Sequence, residues 1–233
     1  AEVQLTYRFA TGDERAVLDR IATAVSETAE FRSMATVEGG ERALTQVKAV
    51  DDAYPLVGRV MLSPPIPLEQ ALAPGGGTPG AVMKQALATR LGLSVGDRFR
   101  LGEQDFTLTA MLDSFPDDTG EGLALGPVTI VRTADLAQSG LLGPGTLFSS
   151  QYRLLLPPGT DLDSAQAQVT AALEGAAPRW RDSREGAPGL STFVDRLGSF
   201  LILIGLSGLA VGGVGVAAAV RAYLDEKLPV IAT

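Results

Sequence analysis

"SQYRLLLPPGTDLDSAQAQVTAALEG", residues 150–175, decides how this chain is organised. Its first seven residues read as a strand, Pro157-Pro158-Gly159 stops it, and Leu162, Ala165, Val169 and Leu173 then recur at helical spacing. The same texture opens the chain. "VQLTYRF" at 3–9 alternates apolar and polar residues, Thr11 and Glu14 form a capping box, and Val17, Leu18, Ile21, Ala22 and Val25 mark one helical face. "FRSMATVEGGERALTQVKAV" at 31–50 reads as two strands joined around Gly39-Gly40, and "PRWRDSR" at 178–184 as a closing strand.

Between the two halves the texture changes. "SPPIPLEQALAPGGGTPG" at 63–80 reads as loops around a short helix, and a second helix runs through Val82, Ala86 and Leu87 to Gly92. "LSVGDRFRLGEQDFTLTAMLD" supplies short strands broken at Gly96-Asp97 and Gly102, and "VTIVRT" another strand, with a short helix from Thr133. The fold class is therefore α+β. Two βαβ-like halves, 1–55 and 150–190, make one subdomain, and 56–149 is an inserted, mostly β subdomain.

From Phe200 to Val220, "FLILIGLSGLAVGGVGVAAAV" carries no charge. A helix of that length covers the roughly 30 Å hydrocarbon core of a bilayer, and it explains a positive mean hydropathy of +0.19. Gly205, Gly208, Gly212, Gly215 and Ala219 fall at steps of three and four, on one face. In water each glycine would weaken the helix by about 1 kcal/mol, whereas in lipid a small-residue seam lets a second helix approach closely. This face is expected to pack against another helix. Arg181, Arg184 and Arg196 precede the run, and Arg221 and Lys227 follow it, so charge bias leaves the orientation open.

The composition excludes much chemistry. The 233 residues contain no cysteine and no histidine, which removes disulfides, thiol nucleophiles, histidine bases and Cys/His zinc sites. Nineteen basic residues against 27 acidic ones give a net charge of −8, which argues against nucleic acid as a partner. The first residue is Ala1 rather than Met, and sequence upstream of it is expected. Asp51-Asp52 and Asp117-Asp118 are carboxylate pairs in loops, where adjacent acids make turns more often than metal sites. "GGGTPG" at 75–80 lacks the Lys-Ser/Thr of a phosphate loop, and Ser63, Lys84 and Ser94 sit at no catalytic spacing. No catalytic, metal or cofactor residue is assigned. Trp180, among Arg179, Arg181 and Arg184, reads either as a packed residue or as an interfacial anchor.

Four stretches in order carry a resemblance. "VKAVDDAYPLVGRV" (47–60), "LATRLGLSVGDRFRLGEQDFTLTAML" (87–112), "WRDSREG" (180–186) and "LAVGGVGVAAAVRAYLDEKLPVIAT" (209–233) resemble YbbP-type predicted ABC transporter permeases of the FtsX-like, or MacB-like, superfamily. The resemblance implies a MacB-like periplasmic core domain over residues 1–190, outside the cytoplasm. A stalk and transmembrane helix follow over 191–224, and 225–233 begin a cytoplasmic coupling segment. It further implies a multi-pass protein of the cell inner membrane, with other helices beyond this chain. Such permeases contain no ATPase site; a separate ABC ATPase subunit is the implied partner. Membrane lipid and a second permease copy, or another permease, are the remaining ones. Asp225, Glu226, Lys227 and Pro229 are the implied ATPase-coupling residues, and Pro229 would end or redirect a helix there.

The expected function is thus a permease subunit of exporter or mechanotransmission type, handling a hydrophobic or lipid-linked substrate outside the cytoplasm. The alternative is a single-span anchored binding or adaptor module without transport activity. An envelope enzyme is the third reading, and no catalytic spacing supports it.

Overall fold

The computed structural model describes residues 1–75, 77–116, 118, 126–143, 145–185 and 188–231. Ala1–Asp182 forms one compact unit and Ser183–Thr233 a second.

In the first unit β1 (Glu2–Thr6), α1 (Gly12–Ile21), β2 (Ala24–Thr36), β9 (Phe148–Leu155), α4 (Leu162–Ala172) and β10 (Arg179–Arg181) make a two-layer arrangement. Their strands run in the order β10-β1-β9-β2, all neighbours antiparallel. Each helix therefore crosses between two strands that hold a third between them, a split βαβ arrangement. Thr11 and Glu14 cap α1 reciprocally, as the spacing predicts. α1 is shorter than expected, ending at Ile21, and Val25 belongs to β2 instead. Val3, Leu5, Leu18, Val25, Tyr152, Leu154, Val169 and Leu173 form the core beneath the two helices.

β2 and β3 (Arg42–Val50) pair over nine residues, from Thr28↔Val50 to Thr36↔Arg42, around the predicted Gly39-Gly40 turn. From β3 the sheet continues through β8 (Val128–Arg132), β5 (Gly80–Met83) and β7 (Gln104–Ser114) to an edge strand, β4 (Met61–Ser63). β6 (Arg98–Leu101) pairs with both β7 and β2, so β2-β3-β8-β5-β7-β6 closes into a ring of six strands. Strands from within 56–149 thus share one hydrogen-bonded sheet with β2 and β3. All six ring strands give one face to a single apolar cluster, including Phe31, Val47, Met83, Phe99, Phe106, Leu108 and Val131. Leu87, Ala88 and Leu91 of α3 (Gln85–Leu91) join it. Alanines at 29, 35, 43 and 49 make room for the aromatic rings, the small-and-large alternation that lets a narrow ring fill itself.

A bulge sets which residues reach that interior. Ala81 pairs with Leu108 but Val82 pairs with Ala110, so β7 carries one extra residue at Thr109. Before it Phe106 and Leu108 face the ring interior; after it Ala110 and Leu112 join the outer cluster under α2 (Leu68–Leu72) and β4. The Thr109 hydroxyl donates to the Ala71 and Ala81 carbonyls at 2.7 and 3.0 Å, fastening α2 at the bulge. Val82, expected in a helix, lies in β5, whose four residues are all buried and show no alternation. The helix that follows does end at Gly92, which takes the left-handed conformation (φ 66°) suited to glycine.

The second unit is dominated by one helix, α5 (Pro188–Ile231), of 44 residues. It begins before the expected Ser191, with Pro188 at its first position, where a missing N–H costs nothing. Its backbone stays helical through Pro229 to Ile231, so this proline does not terminate the helix.

Candidate functional site

The carboxylate pairs resolve into structural roles. Asp51, at the exit of β3, accepts from the Ser26 hydroxyl at 2.7 Å and the Glu27 amide at 2.6 Å, tying the end of β3 to the start of β2. Asp52 is exposed and pairs with Arg132 at 3.3 Å. Asp118 pairs with Lys84 at 2.8 Å, and Asp117 lies outside the described residues. Among the described residues no group of three or more acids is arranged to hold a metal ion. Gly75 and Thr78 bridge across a tight turn, Gly75 N–H to Thr78 O at 2.9 Å, which uses backbone groups that a phosphate cradle would leave free; Gly76 lies outside the described residues. The Ser63 hydroxyl donates to Asp113 at 2.8 Å on the exposed surface, and the Ser94 amide donates to Asp97 at 2.7 Å. Trp180 is half-buried in β10, packs against the helix-covered core and donates to Asp182 at 2.9 Å.

The "DDAYPL" segment surrounds a group that sequence reading missed. Lys48 is only 2 % exposed. Its ammonium donates to Glu30 at 2.7 Å across the β2–β3 pair and lies 5.5 Å from the centre of the Tyr54 ring. Lys48 sits on the outward face of β3, where a lysine is ordinarily solvated; the chain after Asp51 folds back and covers it. The one sequence signal was Tyr54 four residues beyond the strand. Asp135 is the neighbouring oddity: one of its buried oxygens has no partner, and burial raises its pKa against the opposing effect of Arg132.

Phe200–Arg221 of α5 is a 22-residue stretch of mean hydropathy 2.2, with none of its described side chains buried. At 1.5 Å per residue it is long enough to cross a bilayer. Among the described residues, a Cβ built at Gly205, Gly208, Gly212 or Gly215 would meet nothing within 4 Å outside the helix's own turns. Asp225, Glu226, Lys227 and Pro229 lie in the last two turns of helical backbone.

Residues 3–172 match the model of the MacB-like periplasmic core domain. Over 210 residues, 89% of its length, the chain is 25% identical to the uncharacterised ABC transporter permease YbbP of Escherichia coli (strain K12). It spans a quarter of that relative. The periplasmic region of MacB from Actinobacillus actinomycetemcomitans shares the fold, with a TM-score of 0.52 at 8% identity, over 82% of this chain and 92% of that one. The extracellular domain of the noncanonic ABC-type transporter YknZ from Gram-positive bacteria aligns at a TM-score of 0.46 and 11% identity, over 78% and 100% of the two chains. The family match covers the six-strand ring and the split βαβ layer up to the end of α4, leaving out β10, and the chain belongs to the MacB-like periplasmic core domain family.

Proposed function

We propose that this chain is the extracytoplasmic domain and adjoining membrane span of an ABC transporter permease. In this reading it couples a partner ATPase to the handling of a hydrophobic or lipid-linked substrate outside the cytoplasm. The observation that carries the reading is the joining, in one chain, of a domain of this family to a 44-residue helix containing a 22-residue apolar stretch. Residues 1–190 would lie outside the cytoplasm, and α5 would carry motion between them and the cytoplasmic side. Asp225, Glu226, Lys227 and Pro229 would contact the ATPase. The Gly205–Gly208–Gly212–Gly215–Ala219 face would pack against another span, of the same permease, a second copy or another permease. The segment 56–149 would act as the membrane-distal part of the domain and 1–55 with 150–190 as the part nearer the bilayer.

The test is made on the longer natural protein. Co-purification with an ABC ATPase and an ATP-dependent change in spin-label distances across residues 1–182 are expected. The absence of native cysteine in this chain makes single-site labelling within it direct. A protein that never associates with an ATPase, with distances indifferent to nucleotide, would sink the proposal and leave the anchored adaptor.

A further inference from the structure

One sheet face is left uncovered by the described residues. α1 and α4 cover the β10-β1-β9-β2 layer, and α2 and β4 cover the outside of β5, β7 and β8. No such layer covers the outer face of β3, β2 and β6 near the hairpin turn, where Met34 and Leu44 are each 42% exposed. The register fixes what surrounds them. Met34 is paired directly with Leu44, Arg32 with Gln46, Thr36 with Arg42 on one side and with Arg100 on the other. Directly paired residues project to the same side of a sheet, and so do residues two apart on a strand. Arg32, Arg42, Arg98 and Arg100, all exposed, therefore share one face with the Met34–Leu44 pair.

The charge on this face opposes that of the whole chain, which is −8. Asp105 answers Arg100 at 2.7 Å, and Glu38 stands at the rim. Arg32 and Arg42 form no ion pair among the described residues. A cavity of about 360 Å³ opens on the β6 side of the face, with Arg98, Arg100, Asp105, Thr36 and Glu38 among the residues lining it. An apolar centre ringed by arginines, with a recess at its edge, has the composition of a protein-binding surface: arginine is enriched in interfaces and lysine is depleted, and Lys48 on this face is buried.

We propose that the outer face of β3-β2-β6, with Met34 and Leu44 at its centre and Arg32, Arg42, Arg98 and Arg100 around them, docks an acidic, apolar segment of a partner protein. Charge complementarity selects acid. Arginine as the exposed cation around an apolar pair selects protein over an anionic lipid surface.

The probe is a fluorescent synthetic peptide in which glutamates flank leucines, with its lysine-for-glutamate counterpart as control. It is titrated against the full chain in nanodiscs of neutral phosphatidylcholine. The glutamate peptide is expected to bind at least about tenfold more tightly than the lysine peptide, and to weaken as salt is raised. Arg32→Glu with Arg42→Glu should reverse the preference, and Met34→Ser with Leu44→Ser should weaken both peptides. The charge-reversed chain should melt as the parent does; Arg32→Gln with Arg42→Gln replaces it if it does not, with loss of the preference expected. Equal binding of the two peptides, no binding, or binding unaffected by either arginine pair would overturn the proposal. So would arginine-dependent binding to phosphatidylglycerol vesicles without peptide binding, which would assign the face to anionic lipid. None of these readings depends on ATP, so the transport reading would survive their failure.

Discussion

Lys48 and Tyr54 hold each other in place: the ammonium lies 5.5 Å from the ring centre while it bonds Glu30 at 2.7 Å. The pair fastens the turn after β3 over a charge that would otherwise face water. Because Lys48 is buried and Glu30 only partly so, removing either partner alone has unequal consequences. Glu30→Ala leaves a buried cation without its carboxylate and is expected to destabilise by about 2–3 kcal/mol. Lys48→Met keeps the packing, loses the charge and should cost about 1 kcal/mol or less. Thermal unfolding of the detergent-solubilised chain measures both, and the double variant should be no worse than Glu30→Ala.

Stability should respond to acid through Glu14. Its bidentate bonds to Arg8 at 2.7 Å, with the Thr11 amide, lower its pKa from 4.5 to about 2. A folded-state pKa below the unfolded one means the contribution is fully present above about pH 4.5 and is lost as pH falls towards 2. Glu14→Gln is expected to flatten the acid limb of a stability–pH curve over that window and leave the neutral region less stable by a constant amount.

At the alkaline end Tyr152 acts in the opposite sense. It is fully buried, its hydroxyl accepts from the Ala10 amide at 2.7 Å, and burial first of all raises its pKa from 10 to about 12. Ionisation is easier in the unfolded chain, so stability falls as pH climbs from about 10 to 12. Tyr152→Phe should remove that decline, and at pH 7 should cost about 1–2 kcal/mol because the Ala10 amide loses its acceptor.

Gly80→Ala tests the close approach of α2 to β5. A Cβ at residue 80 would overlap the Ala71 carbonyl oxygen, a backbone atom that cannot move without displacing α2. The expected loss is about 2–3 kcal/mol, read as a lower unfolding temperature, whereas Gly175→Ala, with open space around it, should be near neutral.

Gly212→Leu addresses the span. The residue meets nothing among the described residues, so the unfolding temperature of the first unit should stay unchanged. Assembly of the longer protein in detergent is expected to weaken, as seen by cross-linking or sedimentation. Unaltered assembly would remove the glycine face from the packing interface.

Local chemistry was legible wherever it was short-range. Thr11 with Glu14, Gly92 after Leu91, the Gly39-Gly40 turn and the uncharged run in α5 each declare themselves within a few residues. β5 was hidden because "GAVM" is buried on both faces and runs straight into the helical spacing of "QALATRL". Closure of the ring rests on Ala35↔Leu101 and Thr36↔Arg100, two pairings that no local period announces. The bulge at Thr109 was equally silent: it exchanges the faces of β7, and alternation alone would have put Ala110 and Leu112 inside with Phe106 and Leu108. At the candidate site, Lys48 looked like an ordinary solvent-facing strand residue. The fold-back that brings the Tyr54 ring to its ammonium has no local signature.

The thirteen residues of β2 also impose an order of events on synthesis. The ring that β2 belongs to is complete by Arg132, but the partner for its first eight residues, β9, begins only at Phe148. Ala24 to Phe31 are thus made roughly 120 residues before the strand that covers their edge. At about 5–20 residues per second, that edge stands open for about 6–24 s, a template for pairing with any other nascent strand. The same strand that unites the two halves of the domain thus carries an edge that the newborn chain must keep from pairing elsewhere.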